Sequence, residues 1–154
     1  MSSKSALPGH LEELLTYRLH VVKKLTDKII HDEFLRQTGL SLPEARVILC
    51  VGAFGNLSVS ELGQKSNLDR SQASRATDAL VRRDLLAKTT NERDARGVEI
   101  RLTAEGQTLY RKAFKISQQR NAAFLALLDP AQSQALLGAL DTLITALRSD
   151  GDDA

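Results

Sequence analysis

The chain has 154 residues, a formal net charge of +2 and hydrophobic residues at 42% of positions, which suits one compact domain or one protomer of an intertwined dimer. Three prolines, aromatic residues at 4% of positions and abundant Leu and Ala predict a mainly helical protein. So small a net charge excludes capture of a polyanion by the field of the whole molecule, and any affinity for nucleic acid must come from local clustering.

In chain order, Leu11, Leu15, Val22, Leu25 and Ile29 recur at heptad spacing and predict one long amphipathic helix running from Leu11 to about Thr38 and Gly39. Arg18 falls on that stripe where the pattern asks for an apolar residue, and none of the residues three or four positions away is acidic. An inward-facing arginine there needs water, an acid from another helix or a bound carboxylate. Ser41-Leu42-Pro43-Glu44 has the spacing of a capping box and opens a second helix through the apolar run 47–51, closed at residues 52–55. Arg46 on this helix is a second candidate cation.

The stretch 58–103 is the most informative. Ser58 and Glu61 form another capping box, Leu62 anchors a short helix, and Ser66-Asn67-Leu68 reads as a turn. Asp69 and Gln72 repeat the capping spacing and open the next helix, whose inner face carries Leu68, Ala73, Ala76 and Leu80. Small residues at 73 and 76 let this helix cross close over the previous one, as in a helix-turn-helix. Arg70, Ser71, Gln72, Ser74, Arg75, Asp78 and Arg82 are left outside, the side-chain types that read a groove and hold phosphates. Periodicity then changes: residues 85–90 and the alternating 98–102 read as two strands around a polar tip, with Arg93 and Arg96 flanking Asp94 and with Gly97 at the re-entry. Such a basic finger fits a minor groove beside a helix in the major groove, and Asp94 is assigned to holding an arginine rather than to DNA. Lys65, Lys88 and Arg101 add to the local positive charge.

Beyond these strands, Thr103 caps a long helix through Leu109, Ala113, Ile116, Phe124 and Leu127. Asp129-Pro130 restarts a last helix with Leu136, Leu140, Leu143 and Leu147 in heptads beside Leu137 and Ile144. One protomer has little to bury these terminal stripes against, so the first, fifth and sixth helices are expected to pair with a second copy.

The sequence from Asp94-Ala95-Arg96 through Ile100-Arg101-Leu102-Thr103-Ala104-Glu105-Gly106 resembles the wing signature of the MarR family of bacterial transcriptional regulators. Ser71-Gln72-Ala73-Ser74-Arg75 with Leu80 and Asp84-Leu85-Leu86 is similar to the family's recognition-helix pattern, and the likeness extends over residues 11–147. At Ala45 many members carry a large aromatic, and the smaller side chain here leaves either a wider pocket or a repacked one. The resemblance implies a single protomer, 1–154, with a winged helix-turn-helix lobe at 41–102 and dimerisation helices at 10–38 and 104–148. It implies a sequence-specific DNA-binding regulator, a homodimer on a palindromic operator with half-sites about 10 bp apart. Arg70, Ser71, Gln72, Ser74 and Arg75 would serve the major groove, and Arg93 and Arg96 the minor groove. The family also implies a repressor released by a small aromatic carboxylate, held here by Arg18 or Arg46 with Leu19, Leu49 and Cys50 around it. The alternatives are a constitutive DNA-binding protein and a winged-helix module that docks protein, although the latter would show aromatic or aliphatic anchors in place of the arginines.

Other chemistries find little in the residues. Cys50 is the single cysteine and lies in an apolar run, where its thiolate is disfavoured and no intrachain disulfide is possible. His20 and His31 lie about 16 Å apart along a helix, too far to share an ion, so no metal or other cofactor is expected. Nucleophile elbows, phosphate loops and dinucleotide fingerprints are missing, and the protein is not expected to be an enzyme. No apolar run is long enough to span a bilayer and the first residues lack a signal-peptide layout, so no membrane contact and a cytoplasmic location are expected.

Overall fold

A computed structural model describes residues 9–90 and 97–151, as six helices and three short strands after a 3-10 turn at Leu11–Glu13. The order is α1 (Leu15–Thr38), α2 (Leu42–Phe54), β1 (Leu57–Ser58), α3 (Val59–Ser66), α4 (Arg70–Arg82), β2 (Leu86–Thr90), β3 (Val98–Leu102), α5 (Ala104–Leu125) and α6 (Pro130–Gly151). The chain divides into two units, residues 1–116 and 117–154. None of the described helices is long and apolar enough to cross a membrane.

Local capping sets most of these boundaries. Ser41, Ser58 and Asp69 each accept a hydrogen bond from the third amide of the helix they precede, and Glu44, Glu61 and Gln72 return one to the cap amide. All three expected capping boxes are thus formed. Gly39 ends α1 in the left-handed conformation at φ 66°, donating to the Leu35 carbonyl at 3.0 Å, a geometry that costs glycine little. Asn67 (φ 53°) and Asp84 (φ 57°) take the same conformation after α3 and α4, short polar side chains being the non-glycine residues most tolerant of it.

In the first unit, Phe34, Leu40, Val47, Ile48, Leu62, Leu80, Leu86, Ile100 and Ile116 form the buried core. Ala45 is fully buried in it. Ala73 and Ala76 are buried where α4 crosses α3, as expected, and Thr77 joins them by donating its hydroxyl to the Ala73 carbonyl at 2.7 Å. The three strands form an antiparallel sheet in the order β1-β3-β2, pairing Leu57 with Ile100 and Leu86 with Leu102. In the second unit the end of α5 is followed by α6, whose cap Asp129 accepts from Gln132 N at 2.8 Å and donates back at 3.1 Å.

Several expectations are corrected. The first helix does not begin at Leu11: the 3-10 turn ends at Leu14 in extended backbone (ψ 135°), and α1 starts after it. Helix α2 does close within the expected segment 52–55, at Phe54 with Gly55 as its cap, while Gly52 lies inside it. The reason for glycine at 52 is contact, since a β-carbon there would come within 2.2 Å of the Tyr110 ring. α5 stops at Leu125, leaving Leu127 beyond it and 83% exposed. The strand β1 was not legible at all, because a two-residue strand carries no alternation.

The heptad residues of the terminal helices lie on the surface of the single chain. Leu15, Val22, Leu25 and Ile29 of α1 are exposed, as are Leu136, Leu143, Ile144 and Leu147 of α6, while Leu140 is half-buried.

Candidate nucleic-acid interface

Helix α4 is held from behind and left open in front. Its buried side is Ala73, Ala76, Thr77 and Leu80, and Leu68 before it is buried as well. Arg70, Ser71, Gln72, Ser74 and Arg75 are all exposed, so the five helix positions expected at DNA share the first two turns of one helix. The Ser71 hydroxyl accepts from Arg75 Nη1 one turn away. That bond holds the guanidinium against the helix and leaves its other N–H groups directed outward. Gln72 and Arg75 also border an open crevice of about 260 Å³ with Ser41, Pro43 and Glu44 of the α2 start, so α2 does not cover the edge of α4.

One residue counted with the groove-facing set, Asp78, does something else. Asp78 and Lys88 pair with each other at 2.8 Å, tying α4 to strand β2. This contact holds the Asp78 carboxyl below its ordinary value of 3.8, through the Lys88 hydrogen bond first and its charge second. At the far end of α4, Arg83 Nη1 donates to the Gly39 carbonyl and to Glu44 Oε1, each at 3.4 Å. Helix α4 is thereby fastened to the turn between α1 and α2. The wing strands β2 and β3 form as expected, and Gly97 stands immediately before β3. Arg93, Asp94 and Arg96 lie outside the described residues.

The residues expected around an effector are found in less uniform settings. Arg18 does not face the interior of its own chain: it is exposed, and its Nε donates to the Glu12 carbonyl at 3.0 Å. Leu19 is 40% exposed. Arg46 is half-buried and not free, because its Nη2 lies 2.8 Å from Asp27 Oδ1 on α1. This pair joins residues nineteen apart in sequence, so neither helical spacing nor capping patterns disclose it. Leu49 is half-buried and Cys50 buried. Burial pushes the Cys50 thiol above its ordinary value, partly offset by the charges of Lys65 and Arg46, in keeping with an unreactive cysteine. Among the described residues there is no group of three or more His, Cys, Asp or Glu placed to hold a metal ion.

The arrangement of a capped, arginine-bearing helix packed on a shorter one beside a β-hairpin is matched among known proteins. The family model described as "MarR family" matches residues 38–97, which spans α2, α3, α4 and β2. The uncharacterized HTH-type transcriptional regulator YfiV of Bacillus subtilis is 26% identical over 110 residues, 71% of this chain and 69% of that protein. Among solved structures, a MarR/EmrR family transcriptional regulator from Acinetobacter sp. ADP1 has a TM-score of 0.82 at 20% identity, covering 91% of this chain and 99% of that one. BpsR of Bordetella bronchiseptica, whose DNA binding is regulated by 6-hydroxynicotinic acid, has a TM-score of 0.79 at 20% identity, covering 89% and 97%. These relatives are regulators rather than enzymes. Over residues 38–97 the chain is thus similar to MarR-family transcriptional regulators, and its fold is that of the winged helix proteins solved from that family.

Proposed function

We propose that the protein is a homodimeric repressor that binds a palindromic operator and leaves it when a small aromatic carboxylate binds. The observation that carries the DNA reading is the two-sidedness of α4, with alanines buried behind and Arg70, Ser71, Gln72, Ser74 and Arg75 exposed in front. Arg75, steadied by Ser71, is assigned a guanine edge in the major groove, where arginine pairs with two acceptors at once. Arg93 and Arg96 are assigned to the minor groove, with Asp94 orienting them. The lobe at 41–102 then reads one half-site, and a twofold dimer reads two, about 10 bp apart.

Support for a dimer comes from the exposed leucines of α1 and α6, which make stripes too regular and too apolar for permanent contact with water. The segments 10–38 and 104–148 are assigned to that interface. A carboxylate effector is supported by cations near apolar side chains, Arg18 with Leu19 on α1 and Arg46 with Leu49 and Cys50 on α2, and by the ligand named for BpsR.

Selection of bound duplexes from a random library, followed by titration at several salt concentrations, tests the reading. The expected result is an imperfect palindrome bound about 10³-fold or more tighter than random DNA. Uniform, salt-sensitive binding to all sequences would overturn it.

A further inference from the structure

We propose that Asp27 occupies the place on Arg46 that an effector's carboxylate takes, so that effector binding and the tie between α1 and α2 exclude one another. This rests on the effector reading above and adds the competitor, the acid within the chain that the ligand must displace.

The geometry is a three-group relay. One Asp27 oxygen lies 2.8 Å from Arg46 Nη2, and the other lies 2.6 Å from Lys23 Nζ, one helical turn earlier on α1. The Asp27 and Arg46 side chains are 22% and 27% exposed, whereas Lys23 is 65% exposed. Asp27 engages Arg46 through one oxygen and one nitrogen, whereas a ligand carboxylate can take a planar guanidinium through two parallel N–H groups, Nη2 among them. The exchange strands no charge, because Asp27 keeps Lys23 as its partner when it lets go of Arg46. An aromatic ring attached to the incoming carboxylate finds Leu49 and Cys50 three and four residues along α2 from Arg46, on the same side of the helix.

The consequence is mechanical. Asp27–Arg46 links α1 to α2, and so does the Leu42 amide, which donates to His31 Nδ1 at 3.2 Å. Helix α2 packs directly on α4, so loosening α2 from α1 changes how α1 carries the recognition helix. A ligand shifts an equilibrium only by its differential affinity for the two states. Here that difference has a source, since Arg46 Nη2 is open to a two-point carboxylate only when Asp27 has let go of it.

The test uses benzoate and 6-hydroxynicotinate with the full chain, reading acid binding by calorimetry and operator release by fluorescence anisotropy. Asp27→Asn opens the tie, so it binds the acid tighter and releases DNA at about two- to fivefold lower acid concentration, the range for a partly exposed ion pair. Lys23→Met leaves a displaced Asp27 without a partner and shifts release about as far in the opposite direction. Arg46→Met abolishes the response. A tie that is merely structural gives no such opposition of sign between two neighbours. If the parent binds the acid but Asp27→Asn binds it no tighter, or Lys23→Met moves with Asp27→Asn, the competition is refuted while the effector reading stands. If neither acid binds the parent or Asp27→Asn, both fall together.

Discussion

Gly106, in the first turn of α5, lies so close to Leu85 that a β-carbon on it would come within 2.0 Å of the Leu85 carbonyl oxygen. That carbonyl already accepts from Thr103 N at 3.2 Å, and the Thr103 hydroxyl donates to the neighbouring Asp84 carbonyl at 2.7 Å. The same hydroxyl accepts from Gly106 N at 3.0 Å. The start of α5 is therefore locked onto the turn between α4 and β2, and Lys112, further along α5, donates to the Gln37 carbonyl at the end of α1 at 2.6 Å.

Replacing Gly106 by alanine forces that backbone contact apart and is expected to destabilise the protein by about 1–3 kcal/mol. Gly63→Ala on α3, where nothing lies within 4 Å of the added carbon, is expected to stabilise by about 0.5–1 kcal/mol through helix propensity alone. Urea unfolding of both variants checks the pair. Equal effects would show that the contact with Leu85 is not what selects glycine at 106.

Arg75→Ala is expected to weaken operator binding by about 1–3 kcal/mol and to relax the preference at one base position. Ser71→Ala, which removes the acceptor for Arg75 Nη1, should relax preference at that same position to a smaller degree. Arg96→Ala is expected to weaken binding with a different base profile. The measurement is affinity across single-base operator variants at constant salt, and parental profiles for Arg75→Ala and Arg96→Ala would remove both from the interface.

A charge on the apolar stripe of α6 tests the dimer. Leu143→Glu would place an unpaired carboxylate in the interface assigned to that helix, where it is strongly destabilising. Sedimentation should show the parent as a dimer at micromolar concentration and the variant as monomer or aggregate. A folded monomeric parent would refute the interface.

Acid sensitivity has a local origin in the capping box of α3. The Ser58 amide and hydroxyl hold the Glu61 carboxyl below its ordinary value of 4.5, with a smaller contribution from Lys65. A carboxylate lowered in the folded state stabilises fully above its unfolded value, and that contribution is lost as the pH falls through the lower folded value. Ser58→Ala should therefore return the Glu61 titration toward 4.5 by NMR and flatten stability against pH just below that value. A Glu61 titration unchanged in Ser58→Ala would assign the shift to the Ser58 amide, which the substitution keeps, and not to the hydroxyl.

The starts of α2, α3, α4 and α6 and the inner face of α4 were legible in the sequence because each depends on residues three or four apart. A cap and its return bond are complete within one turn, and burial of Ala73, Ala76 and Leu80 follows from helical periodicity. The exposed residues of α4 were legible for the same reason, as the remainder of that helix. Pairs distant in sequence were not. Asp78 looks like a groove residue until β2 brings Lys88 to it, and Gly52 looks like a helix stop until α5 lays Tyr110 across it. Arg46 looks like a free cation until α1 presents Asp27. Local spacing determines which helices form and which sides they bury, but which charge meets which partner is decided by packing between elements, where the sequence separation carries no period to read.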